Sequence, residues 1–480
     1  MAVGSSNDFD LVVLGAGTGG YTAAFRAAQL GLRVALVDQD KIGGVCLHRG
    51  CIPTKALLES ADMLSKARHL KDYGVKVDGE PGVDYAQMAV RRDQVVKRMW
   101  TGLKSLINKN KVEWVDGRGR LEGPGRVRVS QPGEDGKAGG GGDRLLQGTD
   151  VILATGSRVK SLPGLDPDGE RILTSDDILR LDSPPESIVI VGAGAVGVEF
   201  ASFFQDIGTN VTLLEYLPAL VPAEDKDVSA AIERSFTRRG VKVITNARFD
   251  TKAVTRDKSG VCVDVSKEGG KSEEIRAQVM LVAAGRAANV EDIGLESTKV
   301  EVDKGVIKVN GRMRTKEPHV YAIGDVIGGL WLAHTAGHEG IIAAHTIAGD
   351  KDVPEMDYTQ QPRATYCRPE IASIGLTEQQ CAERGLPMKI GKVPFQAIAK
   401  AVIGGEYEGF AKVIGNSETG DTLGVHIVGP HATDLISEAS VAFELEATPW
   451  EIGAATHPHP TLAEVLGEAA MAVDGRSINF

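Results

Sequence analysis

The chain has 480 residues, 58 of them glycine, with a formal charge of −11 from 65 acidic and 54 basic side chains. That length exceeds what one hydrophobic core organises, so about two to four domains are expected, and the acidic balance argues against a nucleic-acid binder, which needs clustered Lys and Arg. No apolar run approaches the ~20 residues of a membrane span, the polar start Met1 to Asp8 lacks the regions of a secretion signal, and five cysteines are no disulfide framework in a chain this long; a reducing cytoplasm is the expected setting, where a disulfide is more often catalytic or redox-sensing than structural.

Phe9 to Leu14 reads as a buried strand running into Gly15-Ala16-Gly17-Thr18-Gly19-Gly20. A helix to about Leu30, a stop at Gly31 and a strand Arg33 to Val37 ending at Asp38 complete a βαβ dinucleotide fingerprint. Gly15 makes the turn, Gly17 lets backbone approach a pyrophosphate on the helix N-terminus, Gly20 permits close helix–strand packing, and Asp38 accepts from a ribose.

The run Gly43-Gly44-Val45-Cys46-Leu47-His48-Arg49-Gly50-Cys51-Ile52-Pro53-Thr54-Lys55 places two cysteines five positions apart. On a regular helix five residues rise about 7.5 Å and turn about 500°, which carries their α-carbons beyond the roughly 7 Å limit for a disulfide. A Cys46–Cys51 bond therefore requires a departure from regular helix, for which Gly50 supplies backbone freedom. Two unrelated buried thiols fit the segment equally well.

Residues 56–115 have helical periodicity, and the glycine-rich stretch 131–143 reads as an exposed loop at a hairpin tip. Val151 to Ser157 is a further buried strand ending in glycine. The fingerprint then recurs: Ser187 to Val191, Gly192-Ala193-Gly194-Ala195-Val196-Gly197, a helix to about Ile207, and Asn210 to Leu214 ending at Glu215. An acid at Glu215 accepts a free ribose 2′-hydroxyl and repels a 2′-phosphate, so this fold should prefer NAD(H) to NADP(H). Val261 to Val265 alternates as a half-exposed strand, while Val279 to Arg286 and His319 to Asp325 read as buried strands capped by turns. Asp325, with Trp331 to His334 opening the next helix, is placed to meet a ligand or simply to cap its turn.

From about residue 352 the pattern becomes mixed α+β. Thr365–Cys367, Glu370–Gly375 and Gly424–Gly429 are strand-like, and helices are expected near 377–384, 433–446 and 461–472. Before the last helix stands His457-Pro458-His459-Pro460-Thr461-Leu462-Ala463-Glu464. Thr461 and Glu464 have capping-box spacing; alternatively Glu464 orients the His459 imidazole as the third group of a thiol–base–acid set.

Together and in order, across nearly the whole chain, these segments resemble the flavoprotein disulfide reductases, and within them the branch that oxidises dihydrolipoyl groups. The likeness rests on the first fingerprint, the Gly43-to-Lys55 run, Ala154-Thr155-Gly156-Ser157, the second fingerprint with Glu199, Gly285-Arg286, Tyr321 to Asp325, and His457 to Glu464. It implies an α/β architecture of two Rossmann-like folds plus an α+β dimerisation domain. The boundaries expected are 1–154 and 283–351 for the two parts of an FAD-binding domain, 155–282 for an NAD-binding domain and 352–480 for the interface domain.

The resemblance also implies one non-covalent FAD per subunit. Gly15, Gly17, Gly20 and Asp38 would hold its adenosine half, and Asp325 its ribityl side. Gly119, Thr155, Gly156, Ser157, Trp331, Leu332, Ala333 and His334 would line the same site, and Lys55 would lie near the flavin, paired with Glu199. NAD would bind the second fold through Gly192, Gly194, Gly197, Glu199, Glu215 and Gly285. Cys46 and Cys51 become a redox disulfide, Cys46 facing substrate and Cys51 the flavin, with His459 and Glu464 reaching it from the other subunit of a homodimer. The implied reaction is oxidation of protein-bound dihydrolipoamide by NAD, with lipoyl domains and the acyltransferase core of 2-oxo acid dehydrogenase complexes as partners, and neither metal, nucleic acid nor membrane.

Rivals are reductases of glutathione-like disulfides or mercuric ion, and a non-enzymatic flavin-bearing redox sensor. Glu215 stands where glutathione-type enzymes usually carry basic residues, and the terminus Gly475-Arg476-Ser477-Ile478-Asn479-Phe480 lacks the cysteine pair of mercuric reductases. The intact Cys46, Cys51 and His459 set argues against a sensor. His48-Arg49 departs from the commonest family form and is read as a solvated tip. Cys262, Cys367 and Cys381 match no functional position and are expected as unpaired thiols.

Overall fold

Runs of consecutive Val, Ile and Leu become strands buried on both faces, as the parallel centre of an α/β sheet requires. The structure is a computed structural model that describes residues 8–130, 143–267, 270 and 272–480, so all but Asp143 of the expected glycine-rich loop lies outside the described residues. Two units partition the chain: one contains residues up to Ala56, Ala89–Lys160 and Arg286–Tyr358, the other Leu57–Met88, Ser161–Gly285 and Thr359–Phe480.

In the first unit the strand Asp8–Leu14 is central, parallel to Val34–Asp38 on one side and Arg144–Leu153 on the other. Glu113–Asp116 extends the sheet outward, Val320–Ala322 joins the end of Arg144–Leu153, and Arg126–Ser130 and Arg118–Leu121 continue it antiparallel. The first fingerprint helix, Thr18–Gln29, crosses the helix Ala333–Ile347 over small residues. A methyl group at Gly340 would lie 2.7 Å from the Gly19 carbonyl oxygen, and one at Gly19 3.0 Å from that of Ala336. The two backbones therefore touch where any side chain would separate them.

The helical periodicity of 56–115 resolves into Cys51–Arg68, the short turn Leu70–Tyr73 and Tyr85–Lys109. The expectation overruns at its end. Lys111 turns left-handed (φ 56°), and Glu113–Asp116 is a strand paired with Val34–Asp38, since pairing with the open edge of a sheet outweighs local helical preference.

The second unit holds a parallel sheet ordered Lys242–Ile244, Asn210–Leu214, Ser187–Val191, Val279–Val282, Ile172–Leu173. The alternating strand Gly260–Lys267 lies in a small antiparallel sheet. The C-terminal segment forms a five-stranded antiparallel sheet ordered Arg363–Thr365, Glu370–Gly375, Thr422–Gly429, Phe410–Asn416, Met388–Pro394. Its first strand ends at Thr365, two residues short of the expected one, because Tyr366 and Arg368 turn their N–H groups to side chains of the second fingerprint helix, Ala195–Asp206. Helices Glu378–Glu383, Ala432–Glu444 and Glu464–Ala472 fall where periodicity put them. Among the described residues, no helix is long and apolar enough to cross a membrane.

Candidate active site

The cysteine segment docks on the first fingerprint turn. Gly43 N–H donates to the Ala16 carbonyl at 2.8 Å, and a methyl group at Gly44 would lie 2.7 Å from Gly17 Cα. Cys46 rides on a one-and-a-half-turn helix, Gly44–Arg49; Gly50 (φ −141°, ψ −112°) breaks it, and Cys51 opens the helix running to Arg68. The departure from regular helix that a Cys46–Cys51 bond needs is thus present. Cys46 and Cys51 are both partly buried, and a hydrogen bond links their side chains. A hydrogen bond to Cys51 pushes the Cys46 thiol well up, burial and the charge on Cys51 add to this, and the Thr18 hydroxyl and Lys55 ammonium pull it down. The solvated-tip reading of His48-Arg49 needs correction. His48 Nε2 bonds the Ile42 carbonyl at 2.9 Å with its ring edge-on to Trp100, and Arg49 pairs with Asp40 at 2.8 Å.

The two fingerprints repeat at atomic detail. A methyl group at Gly20 would meet the Gly15 carbonyl oxygen at 1.8 Å, and one at Gly197 would meet that of Gly192 at 1.8 Å. Asp38 accepts Ala16 N–H at 2.6 Å and Asp40 N–H at 2.9 Å; Glu215 accepts Ala193 N–H at 2.6 Å and Leu217 N–H at 2.8 Å. Burial pushes the Asp38 carboxyl up against these bonds. Each fingerprint helix starts at a glycine, Gly17 or Gly194, that gives no side-chain cap and has open space at its Cβ direction. Uncapped N–H groups, an open approach and an acid at the second strand's end fit a dinucleotide on each fold. Gly285 (φ 103°) closes the strand beside the second turn with open space before it, and Glu199, buried in the second fingerprint helix, accepts Tyr366 N–H at 3.0 Å.

Around Asp325 the first unit converges. Ser157 Oγ donates to its carboxylate, Arg286 Nε donates to Ser157 Oγ at 2.6 Å, and Arg286 lies 3.7 Å from Asp325. Thr155 Oγ1 donates to the Asn289 carbonyl at 2.7 Å, Asn289 N–H donates to the Gly156 carbonyl at 2.9 Å, and Asn289 Nδ2 donates to the Thr155 carbonyl at 2.9 Å. Gly119 is packed beneath the sheet, where a methyl group would come 2.6 Å from Leu14. Trp331 adopts φ 58°, Leu332 is the uncapped start of the helix beginning at Ala333, and His334 lies in its first turn.

In the second unit His459 Nδ1 and Glu464 Oε1 are 2.9 Å apart, and Glu464 Oε2 accepts Thr461 N–H at 2.8 Å. One oxygen of Glu464 thus holds the imidazole and the other the Thr461 N–H, but the capping box is not formed: the Thr461 hydroxyl donates to the Pro458 carbonyl, and the helix starts at Glu464 with Ala463 at its N-cap. Burial acts upward on the Glu464 carboxyl, but the His459 and Thr461 bonds outweigh it and hold it below the usual range. The His459 side chain is 71% exposed; that of His457 is largely buried and bonded to Glu438 at 2.8 Å.

A dithiol, two dinucleotide folds and an exposed imidazole oriented by a carboxylate are the parts of a thiol–disulfide redox enzyme. Residues 9–340 match the family model described as pyridine nucleotide-disulphide oxidoreductase, and residues 361–470 match its dimerisation domain. The chain belongs to the pyridine nucleotide-disulphide oxidoreductases. It is 46% identical to the dihydrolipoyl dehydrogenase of Bacillus subtilis, over 99% of this chain and 100% of that one. It is 40% identical to the dihydrolipoyl dehydrogenase of Zymomonas mobilis, over 99% and 100%. Among solved structures it resembles LpdA from Mycobacterium tuberculosis, with a TM-score of 0.87, 28% identity, and coverage of 96% of this chain and 98% of that one.

Three features of this oxidoreductase escape motif reading. Thr18 and Tyr21, inside the first fingerprint, neighbour the dithiol: Thr18 bonds Cys46, and burial first, then the cysteine charges, push the Tyr21 phenol up against a bond from Thr18. Glu339 is the sole acid of a 15-residue helix otherwise made of Ala, Gly, Ile, Thr and His, a signal that could have marked it. Asp225, Asp227 and Glu378 converge with metal-like spacing, yet Lys412, 1% exposed, fills the centre at 2.9, 3.1 and 2.6 Å.

Proposed function

We propose that the chain is a dihydrolipoyl dehydrogenase, oxidising a protein-bound dihydrolipoyl group to its disulfide with NAD. The observation that carries the reading is the presence in one chain of a glycine-broken Cys46/Cys51 dithiol on one fingerprint and of an exposed, carboxylate-oriented His459 in a segment matching a dimerisation domain. A two-fold dimer would bring His459 to the other subunit's cysteines. The names borne by relatives at 38–46% identity over their full length support the same reaction.

Turnover starts from the Cys46–Cys51 disulfide. His459 Nε2, opposite the nitrogen held by Glu464, takes the proton of a substrate thiol. The thiolate attacks Cys46 Sγ, the S–S bond breaks, and Cys51 leaves as thiolate. The second substrate thiol, deprotonated in turn, displaces Cys46 and closes the lipoyl disulfide, leaving Cys46 and Cys51 as the reduced pair. Lys55, whose charge favours thiolate at Cys46, stabilises the anion at this stage.

FAD supplies, when bound, the two-electron relay from dithiol to nicotinamide. Gly15, Gly17, Gly20, Asp38 and Asp325 would hold it, with Gly119, Thr155 to Ser157 and Trp331 to His334 alongside. Gly192, Gly194, Gly197, Glu199, Glu215 and Gly285 would hold NAD. Glu215, both oxygens already anchored by backbone N–H groups, would accept a ribose hydroxyl and disfavour a 2′-phosphate. As partners we propose a second copy of the chain and the lipoyl domains and acyltransferase core of a 2-oxo acid dehydrogenase complex. Steady-state assay with dihydrolipoamide and NAD against glutathione disulfide and NADPH tests the reading. The first pair should dominate kcat/KM, and preference for the second would overturn it.

A further inference from the structure

Where the strand Val320–Ala322 ends, the chain enters a tight turn, Gly324–Ile327, that carries Asp325. Gly324 adopts φ 73°, a left-handed conformation that glycine takes without a steric cost. That N–H donates at 2.6 Å to Oε2 of Glu339, whose Oε1 accepts the Tyr358 hydroxyl at 3.0 Å. Glu339 is 2% exposed and, among the described residues, forms no ion pair; the charge acting on it is the like-charged Asp325. Burial, with Asp325 adding, pushes its carboxyl up to about 7.

A carboxyl in this place is costly for the fold, because burying it in the absence of a cation forfeits hydration that two hydrogen bonds only partly replace. Packing does not call for it, since the rest of the helix Ala333–Ile347 is Ala, Gly, Ile, Thr and His, with no second acid. What it does is tie two segments together. The helix that bears Glu339 begins at Ala333 and His334, and the turn it grips bears Asp325; both were expected to meet the flavin. Asp325 is then held from two sides, through the N–H of the preceding Gly324 by Glu339 and through its own side chain by Ser157 and Arg286.

We propose that Glu339, backed by Tyr358, is a positioning residue for the flavin: its carboxyl sets the Gly324–Ile327 turn so that Asp325 meets the ribityl chain. The inference rests on the reading that FAD occupies the first fold. Gln at 339 keeps an acceptor for Gly324 and offers an amide donor to the Tyr358 oxygen, so the geometry survives without charge. Met fills the volume, suits a helix and accepts nothing, leaving both donors unmet.

The test is flavin release from purified holoprotein, read by the fluorescence of freed FAD after dilution, with visible circular dichroism of bound flavin as a second signal. Glu339→Met should speed release at least ~10-fold and shift the dichroism, Tyr358→Phe should speed it ~3-fold, and Glu339→Gln should stay within ~3-fold of wild type with an unchanged spectrum. Wild-type retention in Glu339→Met overturns the proposal, as does a Gln variant as leaky as the Met one. If the Met variant does not fold, Tyr358→Phe decides, and retention equal to wild type overturns the proposal. Failure of the FAD reading registers differently: the wild-type protein would then carry and take up no flavin, whatever stands at 339.

Discussion

Replacing His459 tests the chemistry most directly, and its partner Glu464 separates base catalysis from folding. General-base help is worth ~10²–10⁴-fold, or about 3 to 5 kcal/mol of activation free energy at 1.36 kcal/mol per tenfold, and His459→Ala should lose that much in the step that oxidises dihydrolipoamide. In Glu464→Gln the single remaining acceptor oxygen cannot serve both Thr461 N–H and His459, 2.8 and 2.9 Å away. If the amide nitrogen faces the imidazole, Nδ1 must become the acceptor and Nε2 carries the proton, which disables it as a base. A hydrogen bond to a charged group is worth about 1.5–3 kcal/mol, so the oxidation step should slow by ~10- to 100-fold.

The cost to folding is smaller. Glu464 is the only acid in the first turn of its helix, and such a charge contributes roughly 0.3–1 kcal/mol. Rapid-mixing assays should place the whole defect in the dihydrolipoamide half-reaction and leave reduction of the enzyme by NADH at the wild-type rate. Co-expressing His459→Ala with Cys51→Ala chains, each inactive alone, should restore about a quarter of wild-type turnover, because half the two-fold dimers are mixed and each has one complete site. Inactive mixed dimers would refute action across the interface. A His459→Ala rate within tenfold of wild type, or a defect shared by both half-reactions, would refute the base assignment.

Four further outcomes follow from other parts of the chain. Cys51→Ala removes the largest influence that raises the Cys46 thiol, so iodoacetamide should alkylate Cys46 several-fold faster at pH 8 than in the reduced wild type. Glu215→Ala deletes an anchored anion and should lower kcat/KM for NAD by ~10- to 100-fold while leaving NADP turnover nearly unchanged, which substrate titrations would reveal. Lys412→Ala leaves Asp225, 2% exposed, without its buried cation and should cost about 3–5 kcal/mol in chemical denaturation. Glu339, raised from 4.5 to about 7, holds its proton in the native chain over a range where the unfolded chain has released it, so stability falls as pH rises across that window; Glu339→Gln should match wild type near pH 4 and exceed it by up to ~3 kcal/mol at pH 8, in thermal melts.

Legibility in the sequence followed how local each determinant is. The fingerprints were readable to within a residue because turn, helix stop and terminal acid lie within 24 positions (15 to 38, 192 to 215) and each has a steric or electrostatic cause visible in the residue type. The C-terminal sheet was only half legible. Phe410–Asn416 is buried along nearly all its length, yet Lys412 interrupts its apolar run, and nothing near it in sequence reveals that Asp225, almost two hundred residues earlier, takes the charge. Met388–Pro394, paired on one side only, alternates too weakly to announce itself. His48-Arg49 was misread for a related reason: its partners Asp40, Ile42 and Trp100 are supplied by the fold rather than by the motif.

The cysteine segment joins these two kinds of information. Spacing alone says that Cys46 and Cys51 cannot meet on a regular helix, and Gly50 supplies the break that brings the thiols into contact. What spacing cannot give is the difference between the two sulfurs. In the structure that difference comes from the first fingerprint: Gly43 and Gly44 are pinned to Ala16 and Gly17, which sets Cys46 beside the Thr18 hydroxyl and within reach of the Lys55 charge. The first fingerprint turn thus also seats the dithiol segment, so a side chain at Gly44, whose Cβ would lie 2.7 Å from Gly17 Cα, would disturb cofactor turn and thiols together.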